Sequence, residues 1–262
     1  MKVLLLSLML AFGVQDSDQK PASVEGVVLQ TGSGKPVPDA AVELSLTRGE
    51  DAPKYTASVA ADGRFTLKAI PPGEYRLAAT SRGYVRAEYG QRGPNGRGLP
   101  IQLLPGEEKK DARISLTATG AISGRIRDAN GAPLTNVQVM ALRYIYQGGR
   151  KTLSPAKAVI TDDLGEYRLY WLPPQKYMVV AMPLRGELGD YFISASGADY
   201  TISNYIKPPT GVPILPDSSA PALPLYFPGA TNPDSASAVN VEPGGDVRGI
   251  DIAMRVHRTS RR

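Results

Sequence analysis

Few residues in this chain have side chains that could carry out chemistry. The 262 residues include no cysteine and one histidine, His257, which lies five residues from the end. A zinc site of the usual kind needs several His or Cys ligands, and a Ser-His-Asp arrangement needs a histidine beside its nucleophile. The acidic cluster Asp162, Asp163 and Glu166 precedes a predicted strand, where turn formation explains it more simply than paired catalytic carboxylates. We therefore expect no enzymatic activity, no cofactor and no metal.

Aromatic side chains suggest binding instead. The candidate ligand-binding residues are Tyr144, Tyr146 and Tyr170, together with Met140. Tyrosine rings stack on the apolar faces of sugars or peptides while their hydroxyl groups form hydrogen bonds. The pattern therefore predicts an aromatic surface that could bind such a ligand.

The segments that carry these residues belong to a sequence that occurs twice. DGRFTLKAIPPGEYRLAA from Asp62 returns as LGEYRLYWLPPQKYMVVA from Leu164, and GVVLQTGSGKPVPDAAVEL from Gly26 returns as GRIRDANGAPLTNVQVMA from Gly124. The two spacings, 102 residues (164 − 62) and 98 residues (124 − 26), are those of a whole domain rather than a solenoid repeat. The chain is therefore a tandem array of two domains.

Strand alternation sets the fold class and the direction of the side chains. Val42 and Leu44 alternate with polar residues, and runs of this kind end at Gly, Pro, Asn or Asp throughout the chain. The pattern predicts an all-β protein made of two tandem antiparallel β-sandwiches. Transferring the phase of Val42 to Val139 points Val137, Val139 and Ala141 inward. The same transfer points outward the residues Gln138, Met140, Leu142, Tyr144, Tyr146, Tyr170, Met178 and Val180.

The order of these motifs resembles the carboxypeptidase regulatory-like domain. It runs from a glycine strand through a Gly-x-Pro turn, an Ala-x-Val strand and an Asp-Gly-x-Phe strand to a Pro-Pro-Gly-x-Tyr strand. The resemblance covers Val24 to about Leu116 and Ala121 to about Met182. It implies a fold similar to transthyretin and to the carbohydrate-binding-like sandwiches, and glycan recognition as the expected activity. The second copy departs from the pattern at Leu164 and at Gln175.

Composition divides the chain into four parts. Residues 1–20 are predicted to be a signal peptide and leader, because Lys2 is followed by the apolar run Val3–Val14, which is too short to span a membrane. Residues 21–118 form the first predicted sandwich and residues 119–258 the second. A Pro-rich insert at 183–224 interrupts the second sandwich, and its last strands are predicted at 236–256. We expect a secreted or periplasmic protein with no transmembrane span after cleavage.

Two interpretations of the outward aromatic surface stay open. The insert could fold back over it, since each wet apolar side chain forgoes roughly 1.5 to 3 kcal/mol of burial. The covering groups would then come from Tyr191, Phe192, Tyr200, Tyr205 or Ile214. Alternatively, the surface is open and binds a ligand.

The function expected from the sequence is a non-catalytic extracytoplasmic module that binds carbohydrate. The alternative is a structural spacer or accessory protein of the cell envelope. The expected partner is accordingly a polysaccharide or a cell-envelope protein, and nucleic acid is not expected because no stacking motif is present. The Gly-rich basic segment Tyr84–Gly98 could touch an anionic polysaccharide or a membrane surface, or be a solvated loop.

Overall fold

The described part of the chain is built almost entirely from β-strands. A computed structural model describes residues 20–48, 53–93, 96–183 and 224–254. The first copy of the repeat forms β1 (Ala22–Gln30), β2 (Ala41–Leu46), β3 (Lys54–Ser58), β4 (Arg64–Ile70), β5 (Gly73–Thr80), β6 (Tyr84–Val85), β7 (Ala87–Glu88), β8 (Ile101–Leu103) and β9 (Glu108–Ala118). The second copy forms β10 (Gly120–Asp128), β11 (Val137–Gln147), β12 (Arg150–Ile160), β13 (Glu166–Leu172), β14 (Gln175–Pro183), β15 (Leu225–Tyr226), a short 3-10 helix (Pro233–Ser235), β16 (Val239–Val241), β17 (Asp246–Val247) and β18 (Ile252–Met254).

Two sandwiches of the same strand order result. In the first, a sheet ordered β4-β1-β9-β6 faces one ordered β3-β2-β5-β7, with β8 also paired to β5. In the second, β13-β10-β17 faces β12-β11-β14-β15, with β18 paired to β10 and β16 paired to β14. The all-β tandem sandwich is therefore confirmed. The pairings are antiparallel except that β1 runs parallel to β9, and β10 parallel to β17 and β18.

The parallel strand pairing explains the glycine that is repeated near the start of each copy. A Cβ atom on Gly26 would lie 1.9 Å from the carbonyl oxygen of Ala112, and one on Gly124 would lie 2.1 Å from that of Ile250. Both distances are far inside van der Waals contact. Only glycine allows the two backbones to approach this closely.

The repeated proline corner has an equally physical origin. In each copy the prolines lie between two strands, where no ladder hydrogen bond is needed. The hydroxyl of Tyr75 donates to the carbonyl oxygen of Pro71 at 2.8 Å, and that of Tyr177 donates to Pro173 at 2.6 Å. The shared tyrosine therefore fastens the corner to the strand that follows it.

Each sandwich has its own core, and the second has an additional apolar cluster. Val137, Val139 and Ala141 lie in the core between the sheets of the second sandwich, in agreement with the predicted strand phase. Residues of the opposite phase form the additional cluster on the outer side of the same sheet. We call this side the outer face; its buried residues are Met140, Leu142, Leu153, Val180, Met182 and Tyr226.

Candidate functional site

The outer face of the second sandwich is covered by the chain itself. Tyr226 pairs with Val180 through β15, is 1% exposed and packs against Met140 and Leu142. Met140 is fully buried there, so the ligand contact expected for it does not fit the structure. The covering segment begins at Leu225, just beyond the predicted insert. The insert residues Tyr191, Phe192, Tyr200, Tyr205 and Ile214 lie outside the described residues.

In the first sandwich, charged residues cover the equivalent sheet face. Its β7 occupies the place that β15 takes in the second, which puts Glu88 where Tyr226 stands. The Glu88 carboxylate accepts from Arg86 at 2.9 Å and from Arg76 at 3.4 Å. The hydrogen bond from Arg86 is the main cause that lowers the pKa of Glu88. The covering residue is charged in the first copy, Glu88, and apolar in the second, Tyr226. Both faces are therefore covered at this position.

Tyr144 and Tyr146 lie on a long hairpin formed by β11 and β12, each of 11 residues against six and five in β2 and β3. Tyr144 is half-buried against the outer face, and the Nζ of Lys151 lies 3.9 Å from its ring centroid. Burial, and then the charge of Asp234, raise the pKa of Tyr144. Tyr146 is 78% exposed. Tyr144 and Tyr146 lie in a different sheet from Tyr170, and the ring contact of Tyr170 among the described residues is with Trp171 instead.

Tyr170 lies at a β-bulge together with the one tryptophan of the chain, Trp171. Gly120 pairs with Leu172 and Ile122 with Leu169, so two residues of β13 oppose one of β10. The bulge breaks the strand alternation and exposes two neighbouring side chains, Tyr170 by 43% and Trp171 by 49%. Their rings lie 5.0 Å apart at an angle of 80°. We call this pair the aromatic bulge.

The backbone of Trp171 is strained. Its φ is 60°, in the left-handed region that bulky residues rarely adopt. The first sandwich has the same bulge in the same register, with Lys68 and Ala69 exposed and a φ of 56° at Ala69. The conformation therefore belongs to the fold. The second copy places the largest side chain at a position where the first has a methyl group.

Two cations flank the aromatic bulge. The Nζ of Lys157, on β12, lies 4.3 Å from the ring centroid of Tyr170 and 5.7 Å from that of Trp171. The guanidinium carbon of Arg82, in the turn before β6 of the first sandwich, lies 5.6 Å from the Trp171 centroid. These distances fall within the range of cation–π attraction. The site thus draws residues from both sandwiches.

A shallow, mostly apolar cavity of about 270 Å³ adjoins the bulge between the two sandwiches. Trp171 and Pro173 form its wall on the side of the second sandwich. The other lining residues are Ser81, Arg82, Gly83, Tyr84, Val85 and Thr119. A ligand that stacks on the aromatic bulge therefore has room to extend into this cavity.

Sequence reasoning missed Trp171, although two signals mark it. It is the single tryptophan, and it stands where the first copy has alanine. Strand phase could not reveal its exposure, because the bulge adds a residue and two consecutive side chains point outward.

The acidic cluster forms a turn. The carboxylate of Asp162 accepts backbone N–H groups from Leu164 at 3.0 Å and from Glu166 at 2.7 Å, and Glu166 accepts from Arg125 at 2.9 Å. Among the residues that the structure describes, no group of three or more His, Cys, Asp or Glu could hold a metal ion. Within the same residues, no helix has the length and apolar character needed to cross a membrane. The predicted signal peptide and His257 lie outside them.

A known family model matches the first sandwich. Residues 23–117 match the family model of the carboxypeptidase regulatory-like domain. The match covers the first sandwich, as its motifs indicated, and the second sandwich repeats its strand order. No curated protein matches the sequence.

Several solved structures are similar over most of the chain. GBS52, the minor pilin of Streptococcus agalactiae, has 16% identity over 92% of this chain and 98% of its own, with a TM-score of 0.42. The shaft pilin SpaA from Lactobacillus rhamnosus GG has 9% identity over 93% and 100%, with a TM-score of 0.39. The Bacillus anthracis TIE protein has 15% identity and a TM-score of 0.32; 90% of this chain aligns, but only 34% of that protein. Similarity this low says nothing about a shared ligand or partner.

Proposed function

We propose that this chain is a non-catalytic, extracytoplasmic binding module that recognises carbohydrate at the aromatic bulge. The observation that carries the proposal is the exposed, left-handed Trp171 beside the exposed Tyr170. A large side chain left fully exposed forgoes roughly 1.5 to 3 kcal/mol of burial, and Trp171 is 49% exposed. A sugar ring that stacks on the pair would bury part of this surface.

The first sandwich provides the internal comparison for this proposal. It has the same bulge with Lys68 and Ala69, so the fold does not require aromatic side chains there. Of the four residues predicted from sequence, the proposal keeps Tyr170 and adds Trp171. The predicted signal peptide at 1–20 supports a secreted or periplasmic location, where polysaccharides are available as partners.

Affinity electrophoresis through gels that contain soluble polysaccharides tests this function. The chain should be retarded by at least one polysaccharide, and Trp171→Ala should abolish the retardation. Ala69 shows that alanine accepts this backbone conformation, so the variant should stay folded. The matched control is Tyr146→Ala, which removes another exposed ring. Loss of binding in Tyr146→Ala alone, or no retardation of the wild type by any polysaccharide, would refute the proposal.

A structural accessory role is the second candidate, and the Arg82–Trp171 contact across the two sandwiches favours it. In that case the aromatic bulge fixes the relative orientation of the sandwiches and needs no ligand. Trp171→Ala would then change the small-angle X-ray scattering profile while no glycan binds. Co-purification of a cell-envelope protein with the wild type would support this role.

A further inference from the structure

We infer that the ligand of the aromatic bulge is an acidic polysaccharide, with Lys157 and Arg82 as its charge partners. This inference rests on the proposed function and adds the class of sugar. The two cations lie on different elements, one on the edge strand β12 and one in a turn of the first sandwich. Each cation therefore reaches the rings from its own element. A sugar stacked on the rings would bring its acidic groups within reach of both.

Neither cation has an acidic partner among the residues that the structure describes. Within the described ranges, Lys157 and Arg82 form no ion pair, and their observed partners are the aromatic rings. The neighbouring basic residue on β13 differs, because Arg168 is paired with Asp246 at 2.7 Å. Charge next to the rings is thus left available, while charge two residues away from Tyr170 is compensated.

The two cations lie close enough to the rings to act on the same ligand. Lys157 and Arg82 lie 4.3 and 5.6 Å from the ring centroids of Tyr170 and Trp171, so a ligand that contacts the exposed ring surface lies within Coulomb range of both charges. About half of the Trp171 surface stays exposed beside them, at 49%. Stacking and charge therefore act on one ligand together, and a polymer that carries both sugar rings and carboxylates satisfies both. A neutral glycan would offer no anionic group to Lys157 and Arg82.

The chain contains a matched control for this arrangement. Lys151, on the same strand as Lys157, lies 3.9 Å from the ring centroid of Tyr144. Tyr144 packs against the outer face, and the exposed Tyr146 pairs with Lys151 across the hairpin. Lys151→Met thus removes a charge of the same kind, also over a tyrosine ring, from outside the aromatic bulge.

The test compares polygalacturonate with its fully methyl-esterified form, which has the same sugar backbone without the charge. Alginate and hyaluronate, with neutral β-glucan, extend the panel in isothermal titration calorimetry. We expect at least one acidic polymer to bind roughly tenfold more tightly than the neutral polymers, and to weaken as NaCl rises from about 50 to 500 mM. Lys157→Met and Arg82→Met should each weaken this binding about fivefold, whereas Lys151→Met should leave it unchanged.

The alternative outcomes separate the two proposals. A neutral polymer that binds as tightly as the acidic ones, and needs Trp171, would overturn the inference and leave carbohydrate binding intact. No binding by any polymer would overturn both. Acidic polymer binding that survives Trp171→Ala and Lys157→Met would place the attraction elsewhere on this basic protein and overturn the inference. Binding to phosphatidylglycerol vesicles without polysaccharide binding would also overturn it.

Discussion

Replacing Tyr226 by alanine should destabilise the second sandwich by about 3 to 5 kcal/mol. The side chain is 1% exposed and fills the middle of the cluster over Met140, Leu142 and Val180. Truncating a fully buried aromatic residue typically costs this much, because apolar contacts are lost and a cavity stays behind. The loss is a large share of the stability of a small domain.

Urea unfolding followed by the fluorescence of Trp171 is the appropriate assay. Since the chain has a single tryptophan, on β13, the signal arises in the second sandwich, at its contact with Arg82 of the first. Tyr226→Ala should lower the midpoint strongly and increase the binding of the dye ANS, which detects exposed apolar surface. The control Tyr146→Ala, at a 78% exposed position, should change stability by less than about 0.5 kcal/mol. If both variants behaved alike, Tyr226 would not be what holds the outer face closed.

Two further predictions concern the carbonyl oxygen of Ile250, in the segment between β17 and β18 that lies beside β10. Gly124→Ala should lower the free energy of unfolding by about 3 kcal/mol in thermal or urea unfolding, because its Cβ would lie 2.1 Å from the carbonyl oxygen of Ile250. The control Gly229→Ala, whose Cβ would have no atom within 4 Å, should be neutral. Equal effects of the two substitutions would refute this reason for the glycine. Tyr167 donates to the same carbonyl oxygen at 2.5 Å, so Tyr167→Phe should cost about 1 kcal/mol at neutral pH. Burial, and then the charge of Asp251, raise the pKa of Tyr167 above its ordinary 10.0. The stabilisation that Tyr167 contributes is therefore complete below about pH 10 and is lost as the pH rises towards the folded pKa. Above pH 10 the wild type should therefore lose stability faster than Tyr167→Phe, and parallel pH profiles would contradict this.

The sequence predicted the parts of the fold that depend on local pattern. The doubled glycine, proline corner and alternating strands fixed two sandwiches of the same order, and the phase transferred from Val42 placed Val139 in the core. These features are local because each follows from strand periodicity or from a residue with restricted backbone chemistry. The boundaries predicted for the signal peptide, the domains and the insert stay predictions.

The site could not be predicted as far, for two physical reasons. Met140 does point to the outer side of its sheet, but Tyr226, 86 residues later (226 − 140), covers it, and a contact so distant in sequence leaves no local pattern. Trp171 was missed because strand phase fails at a bulge. Tyr170 was predicted to point outward and does lie exposed, because it precedes the extra residue.

The most direct test of a carbohydrate site at the aromatic bulge is a fluorescence titration of the wild type. Because Trp171 is the only tryptophan, every change in tryptophan emission on adding a polysaccharide reports on the surroundings of this side chain. We predict a saturable change in emission with polygalacturonate or another acidic polymer, together with protection of Trp171 from quenching by acrylamide. A polysaccharide that binds by calorimetry while the emission and the quenching of Trp171 stay unchanged would contradict the assignment of the site.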